Sequence, residues 1–255
     1  MSKKPLILGI ESSCDETAAS IISENDLGNP IILSNIVSSQ VEVHKEFGGV
    51  VPELAARSHI DKIDWIVKKA ISKSGVKINE IDAIASTAGP GLVVCISVGL
   101  TFAKAFAASL NVPFIAVNHL EGHALSPRLN SKLNYPYLFL LISGGHSQYL
   151  SVKNLNEYKR LGTTIDDAVG EAFDKTAKLL GIEFPGGPQI EILAKKGNPA
   201  KYILPKPIFN RGGCNLSFAG LKTAISKISK GIKTDQEKFD LAASFQKTIS
   251  EILYK

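Results

Sequence analysis

The chain has 255 residues, of which 44% are hydrophobic, and a formal net charge of +5, so it can bury a core as one large domain or two ordinary ones. Soluble and globular is the class these values define. Three cysteines, Cys14, Cys95 and Cys214, are an odd set without a Cys-x-x-Cys pair, which argues against a disulfide framework or a cysteine metal site and fits a reducing cytoplasm.

Lys3 and Lys4 precede only a short apolar run, Leu6 to Ile10, too short for a signal-peptide core. Strands are expected at 5–11, 18–23 and 31–38, joined first by a small polar turn, Ser12 to Thr17. Such a turn lets backbone N–H groups approach an anion, and it equally suits a plain hairpin. After Gly48-Gly49, Pro52 opens a helical pattern that Gly75 closes. A strand at 81–86 leads through Gly89-Pro90-Gly91 into an apolar helix at 92–110. No Gly-Lys-Ser/Thr follows these glycines, so the loop is not a P-loop. Ser97, Thr101 and Lys104 interrupt the helix, which therefore reads as a buried helix, with no membrane role.

A strand at 113–117 then ends at His119-Leu120-Glu121-Gly122-His123. Residues i and i+4 lie one above the other on a helix, so both imidazoles can reach one cation. The pair also sits at the carboxyl end of a strand, where open α/β sheets usually place ligands. Chance proximity or helix capping explains the same spacing. A zincin-like peptidase shares it too, but Leu120 occupies the position of the zincin base, and Glu121 falls roughly 200° around the helix from His119.

A second cycle starts with a strand at 137–142, a polar turn Ser143-Gly144-Gly145-His146-Ser147, and a strand at 148–152. It repeats the opening design, which suggests a duplicated architecture with a nucleotide gripped between two hairpin turns. Helices are expected at 166–180, 189–196, 218–228 and 239–255, with Pro185-Gly186-Gly187-Pro188 as a rigid turn. Between Glu191 and Asp235 there are nine basic residues and no acidic one, a pattern suited to a phosphate backbone or to an ordinary solvated face. Lys222, Lys227 and Lys230 are its candidate phosphate contacts.

The motifs Gly9 to Thr17, Gly48 to Glu53, Gly89 to Leu92, Asn118 to His123, Ser143 to His146, Asp166 to Lys175 and Pro185 to Pro188 together resemble the TsaD family. These are the tRNA N6-adenosine threonylcarbamoyltransferases, formerly called O-sialoglycoprotein endopeptidases. The resemblance covers essentially residues 5–255. It implies an α/β, actin-like ATPase (ASKHA) duplicated fold, with subdomains at 1–114 and 115–255, the second incomplete at its C-terminus.

The resemblance also implies transfer of threonylcarbamoyl from L-threonylcarbamoyl-adenylate to N6 of the adenosine beside the tRNA anticodon, with loss of AMP. Its adenylate contacts fall on Leu141, Ile142, Ser143, Gly144, Gly145, Asp174 and Gly187. Its metal ligands fall on His119 and His123, for one divalent ion, iron(II) ahead of zinc. Glu11, Asp15 and Glu16 border the pocket, and Glu171 with Lys175 reads as a helix pair. TsaB-like and TsaE-like subunits are the implied partners.

Family members continue past this chain's end, where the resemblance places a third metal ligand, an aspartate, and an asparagine that contacts the nucleoside. Weak metal and adenylate binding is therefore expected of the 255-residue form, as is an under-covered last helix. The alternative functions are a non-catalytic scaffold of the same fold and, less favoured, a metallopeptidase.

Overall fold

The computed structural model describes residues 3–254, and the chain divides into two compact units, 1–132 and 133–255.

In the first unit, β1 (Ile7–Glu11), β2 (Glu16–Glu24) and β3 (Pro30–Ser39) form an antiparallel meander. Side chains alternate between faces, so Leu8 and Ile10 are buried while Gly9 and Glu11 take the other face. α1 (Val41–Lys45) follows, too short for its period to be read in the sequence. α2 (Pro52–Ser74) starts with Pro52 in its first turn and stops at Gly75, whose φ of 74° is left-handed. Its buried stripe, from Ala55 through His59 to Ala70, packs on β2 and β3.

β4 (Ala83–Gly89) pairs with β1 in parallel, and α3 (Val93–Leu110) crosses over to β5 (Phe114–Asn118), which pairs in parallel with β4. The sheet order is β3-β2-β1-β4-β5. α4 (His119–Leu125) and α5 (Pro127–Asn130) complete the unit. The division falls after Lys132 rather than after residue 114 because β5 belongs to the first sheet.

α3 departs from the expectation of a buried helix. Cys95, Ile96, Gly99, Ala103 and Ala107 face inward, while Val93 and Val94 are exposed. Its 18 residues and mean hydropathy of 1.9 also meet the length and composition of a membrane span, despite Ser97, Thr101 and Lys104. In this fold the helix lies along β4.

In the second unit, β6 (Tyr137–Ile142), β7 (Ser147–Asn154) and β8 (Glu157–Thr163) form an antiparallel meander in that order. Each unit therefore opens with a strand, a small polar turn and two further strands. β8 escapes the sequence pattern because it is an edge strand whose Glu157, Lys159 and Arg160 are exposed.

Four helices follow: α6 (Val169–Leu179), α7 (Gly186–Ala194), α8 (Ala219–Ser229) and α9 (Asp235–Tyr254). Phe218, Leu221, Ile225, Leu241 and Phe245 are fully buried at their shared core.

Three local expectations change. Asp166 does not start α6. Its carboxylate accepts the Phe218 N–H at 2.7 Å, the Ala219 N–H at 3.2 Å and the Ser217 hydroxyl at 2.5 Å, so it holds the start of α8 instead. Pro185 to Pro188 is not a free turn, because Gly186 already begins α7. α9 is well covered, with Leu241, Phe245, Ile249 and Ile252 buried against the unit's own core.

Candidate functional site

The histidine pair lies at the start of α4, immediately after β5. Asn118 caps the helix, its side-chain oxygen accepting the Leu120 N–H at 2.9 Å and the Glu121 N–H at 3.2 Å. The cap fixes the first turn from which both rings project. The rings of His119 and His123 meet edge to face with centroids 4.5 Å apart, and their Nε2 atoms are 3.1 Å apart. Two imidazole nitrogens that share an ion at about 2.0–2.1 Å each are separated by roughly that distance. The pair thus fits one cation as two of its ligands. Among the described residues no cluster of three or more His, Cys, Asp or Glu could hold a metal.

Behind His119 lies Glu11, at the carboxyl end of β1. Its Oε2 is 3.5 Å from His119 Nδ1 and accepts the Thr87 hydroxyl, while its Oε1 accepts the Ser13 N–H. Burial pushes the Glu11 carboxyl up, but hydrogen bonds involving His119, Ser13 and Thr87 outweigh it and bring the pKa down to about 2. The Ser13 hydroxyl also lies 3.3 Å from His119 Nδ1. Of the three expected border residues, then, Glu11 joins the histidines. Asp15 is half-buried beside Cys14, whose thiol is pushed up to about 12 by burial and by the Asp15 carboxylate. Glu16 is exposed.

The turn after β1 is fastened at each of three successive carbonyls. Leu92 N–H donates to Ser13 at 2.8 Å, His59 Nε2 to Cys14 at 3.0 Å, and Gln40 N–H to Asp15 at 3.1 Å. Ser12 adds a side-chain tie, donating to Cys95 O at 2.9 Å and accepting Gly99 N–H at 3.1 Å inside α3.

His59 belongs to a buried relay that sequence reading missed. Val51 N–H donates to His44 Nδ1 at 3.3 Å, so His44 carries its proton on Nε2, facing Gln40 Oε1 at 3.4 Å. The Gln40 amide nitrogen therefore faces His59 Nδ1 at 3.3 Å, where the Thr17 hydroxyl also donates at 2.7 Å. That leaves the His59 proton on Nε2 for Cys14. Burial pushes the His59 pKa below its ordinary 6.5, and His44 and His59 are both wholly buried. Their only sequence signal is the placement of His59 on the apolar stripe of α2.

In the second unit, α6 organises the expected adenylate residues. Gly170 and Asp174 are one turn apart and share a face. The Gly170 N–H donates to Ser143 O at 3.2 Å, and Asp174 Oδ1 accepts the Gly186 N–H at 2.8 Å. The turn at 143–145, Asp174 and Gly187 are thereby aligned along one helix.

Individual roles within that line change. Leu141 is buried, whereas Ile142 is exposed. Ser143 N–H donates to His146 O at 2.8 Å, and its hydroxyl accepts the His146 N–H at 3.0 Å, which leaves Gly144 and Gly145 as the donors open to a ligand. Burial raises the Asp174 pKa, and hydrogen bonds from the Gly186 and Gly187 backbone oppose it. Lys175 pairs with Glu171 at 2.7 Å, the expected helix pair, and also with Asp167 at 2.7 Å.

The basic segment is less uniform than its sequence. Lys195 pairs with Glu191 at 2.8 Å and Lys206 with Glu251 at 2.6 Å. Lys222, Lys227 and Lys230 are exposed, and among the described residues none of them is in an ion pair.

The fold gives the class. The chain has an actin-like α/β fold, and it is similar to (R)-2-hydroxyglutaryl-CoA dehydratase component A from Acidaminococcus fermentans, with a TM-score of 0.53 over 99% of this chain and 77% of that one. At 13% identity that likeness concerns the fold alone.

A family model described as TsaD, tRNA N6-adenosine threonylcarbamoyltransferase, matches residues 31–255, and the chain belongs to that family. It is 81% identical over 255 residues to the tRNA N6-adenosine threonylcarbamoyltransferase of Pelagibacter ubique (strain HTCC1062), covering 100% of this chain and 71% of the relative. The protein of the same name from Rickettsia prowazekii (strain Madrid E) is 57% identical over 249 residues, covering 97% of this chain and 63% of the relative.

Proposed function

We propose that the chain works in tRNA modification as the acyltransferase its family name describes. The threonylcarbamoyl group would pass from L-threonylcarbamoyl-adenylate to N6 of the adenosine next to the anticodon. The N6 lone pair attacks the activated carbonyl carbon, the carbonyl–phosphate oxygen bond breaks, AMP leaves with the electron pair, and N6 loses a proton. The observation that carries this reading is the 81% identity across the whole chain to a relative so named.

The residues divide the work in a way that supports it. Gly144 and Gly145 offer backbone N–H donors to a phosphate, as a compact turn does for anions. Asp174 offers a carboxylate to a ribose hydroxyl, and Gly187 leaves room for the nucleoside. His119 and His123 would hold one divalent ion, iron(II) in preference to zinc. When bound, that ion supplies Lewis-acid polarisation and a template for the acyl group. No serine or cysteine nucleophile is needed.

Lys222, Lys227 and Lys230 are the residues proposed to meet tRNA phosphates, because they are exposed and, among the described residues, in no ion pair. A TsaB-like subunit and a TsaE-like ATPase belong to the same proposal, supported by family membership alone.

The test is direct. Supply threonylcarbamoyl-adenylate, tRNA and the partner proteins, and digest the tRNA to look for modified adenosine. Product from this chain, lost in the His119→Ala variant, is the expected result. Product from a full-length relative without any from this chain would overturn the acyltransferase reading for the 255-residue form and would count against a scaffold role for the family. Leu120, in the place of a zincin base, keeps a peptidase the weaker reading.

A further inference from the structure

We infer that Glu11 is a positioning residue for the metal pair, acting through His119 rather than on the ion itself. This rests on the reading of His119 and His123 as ligands and goes one shell further out.

The inference follows from which atoms are already engaged. Glu11 is pinned from the strand side: its Oε1 takes the Ser13 N–H and its Oε2 takes the Thr87 hydroxyl. So fixed, the carboxylate stands at His119 Nδ1, 3.5 Å away. The opposite ring nitrogen, Nε2, is the one that meets His123 Nε2 at 3.1 Å.

An imidazole has one proton to place when neutral, and an anion beside Nδ1 draws it there. The Nε2 lone pair is then directed at the point shared with His123. Without the carboxylate, the nearby Ser13 hydroxyl, 3.3 Å from Nδ1, can donate to that nitrogen instead. The proton then moves to Nε2 and blocks it. Glu11 decides between these two arrangements, and Thr87 and Ser13 hold Glu11 in place to do so. A carboxylate behind a ligating histidine is a general device for fixing tautomer and ring orientation.

Cobalt(II) alone is a suitable probe, titrated into the protein and followed by its visible absorption, with 15N-histidine NMR of the metal-free protein as the second readout. The expected wild-type signature is a His119 proton on Nδ1. Glu11→Gln keeps an amide oxygen for the Ser13 N–H, removes the charge and turns an NH2 donor toward His119 Nδ1. It is expected to weaken cobalt(II) binding about 10- to 100-fold and to shift the His119 tautomer toward Nε2, while circular dichroism stays that of the wild type.

A wild-type His119 protonated on Nε2 would overturn the inference without any variant. So would a folded Glu11→Gln protein with unchanged affinity and tautomer. If His123→Ala binds cobalt(II) as tightly as the wild type, the metal reading itself fails, a result separable from failure of Glu11 because it concerns the ligand and leaves the His119 tautomer as measured.

Discussion

Asp174 and Gly186 are joined by a 2.8 Å hydrogen bond from the Gly186 N–H to the carboxylate, and that bond gives two adjacent glycines different tasks. A Cβ on Gly186 would lie 2.5 Å from the Ala177 Cβ and 2.9 Å from the Asp174 Cα, whereas a Cβ on Gly187 would meet nothing within 4 Å. Gly186 lets α7 dock on α6; Gly187 faces open space. Gly186→Ala is therefore expected to lower stability by about 1–3 kcal/mol in urea unfolding. Gly187→Ala should leave stability unchanged or slightly raised yet weaken binding of an adenylate in calorimetry. Wild-type adenylate affinity in the second variant would remove Gly187 from the nucleoside site.

Ser12 reaches into α3 where Gly99 has no side chain, and a Cβ there would fall inside contact distance of the Ser12 hydroxyl. Gly99→Ala should cost about 1–3 kcal/mol. Combining it with Ser12→Ala should recover part of that loss, because the offending oxygen is gone. Simple additivity in this double-mutant cycle would mean that the two residues do not interact.

The buried relay predicts a pH dependence with a definite sign. The pKa of His59 is depressed in the folded protein, so the unfolded chain takes up the proton more readily. This contribution to stability is complete above the ordinary value of 6.5 and is lost as pH falls below it. His59→Gln keeps an N–H for Cys14 and an acceptor for Gln40 without a titrating ring. Its stability should decline less steeply between pH 6.5 and 5 than that of the wild type, as read from unfolding midpoints; equal slopes would exclude His59 as a source.

Charge reversal at Lys222, Lys227 and Lys230 should weaken tRNA binding and flatten its dependence on salt. Each phosphate contact contributes roughly 0.7–0.9 to the slope of log affinity against log salt. Loss of three contacts should thus reduce the slope by about 2–3 in filter-binding assays. An unchanged slope would place the tRNA elsewhere.

Legibility in the sequence followed the strength of each local signal. α2 was readable at both ends because Pro52 and Gly75 have fixed conformational meanings, and β6 because its apolar run is bounded by polar turns. β8 was not, since its exposed Glu157, Lys159 and Arg160 leave it without apolar alternation. The site divided likewise. The i, i+4 spacing of His119 and His123 survives in the fold as facing nitrogens, whereas Glu11 reaches His119 only because β1 and β5 flank β4. Long-range pairings of this kind, like those of Asp166 with α8 and of His59 with Cys14, leave no local trace.

The three fastened carbonyls of Ser13, Cys14 and Asp15 bear on how anything could bind at this turn. Since Leu92, His59 and Gln40 already fix the backbone, a ligand there has little chain left to order, and association should carry only a small conformational-entropy penalty. A variant that frees one carbonyl would then show its effect first as a more unfavourable binding entropy, with the contact enthalpy nearly preserved.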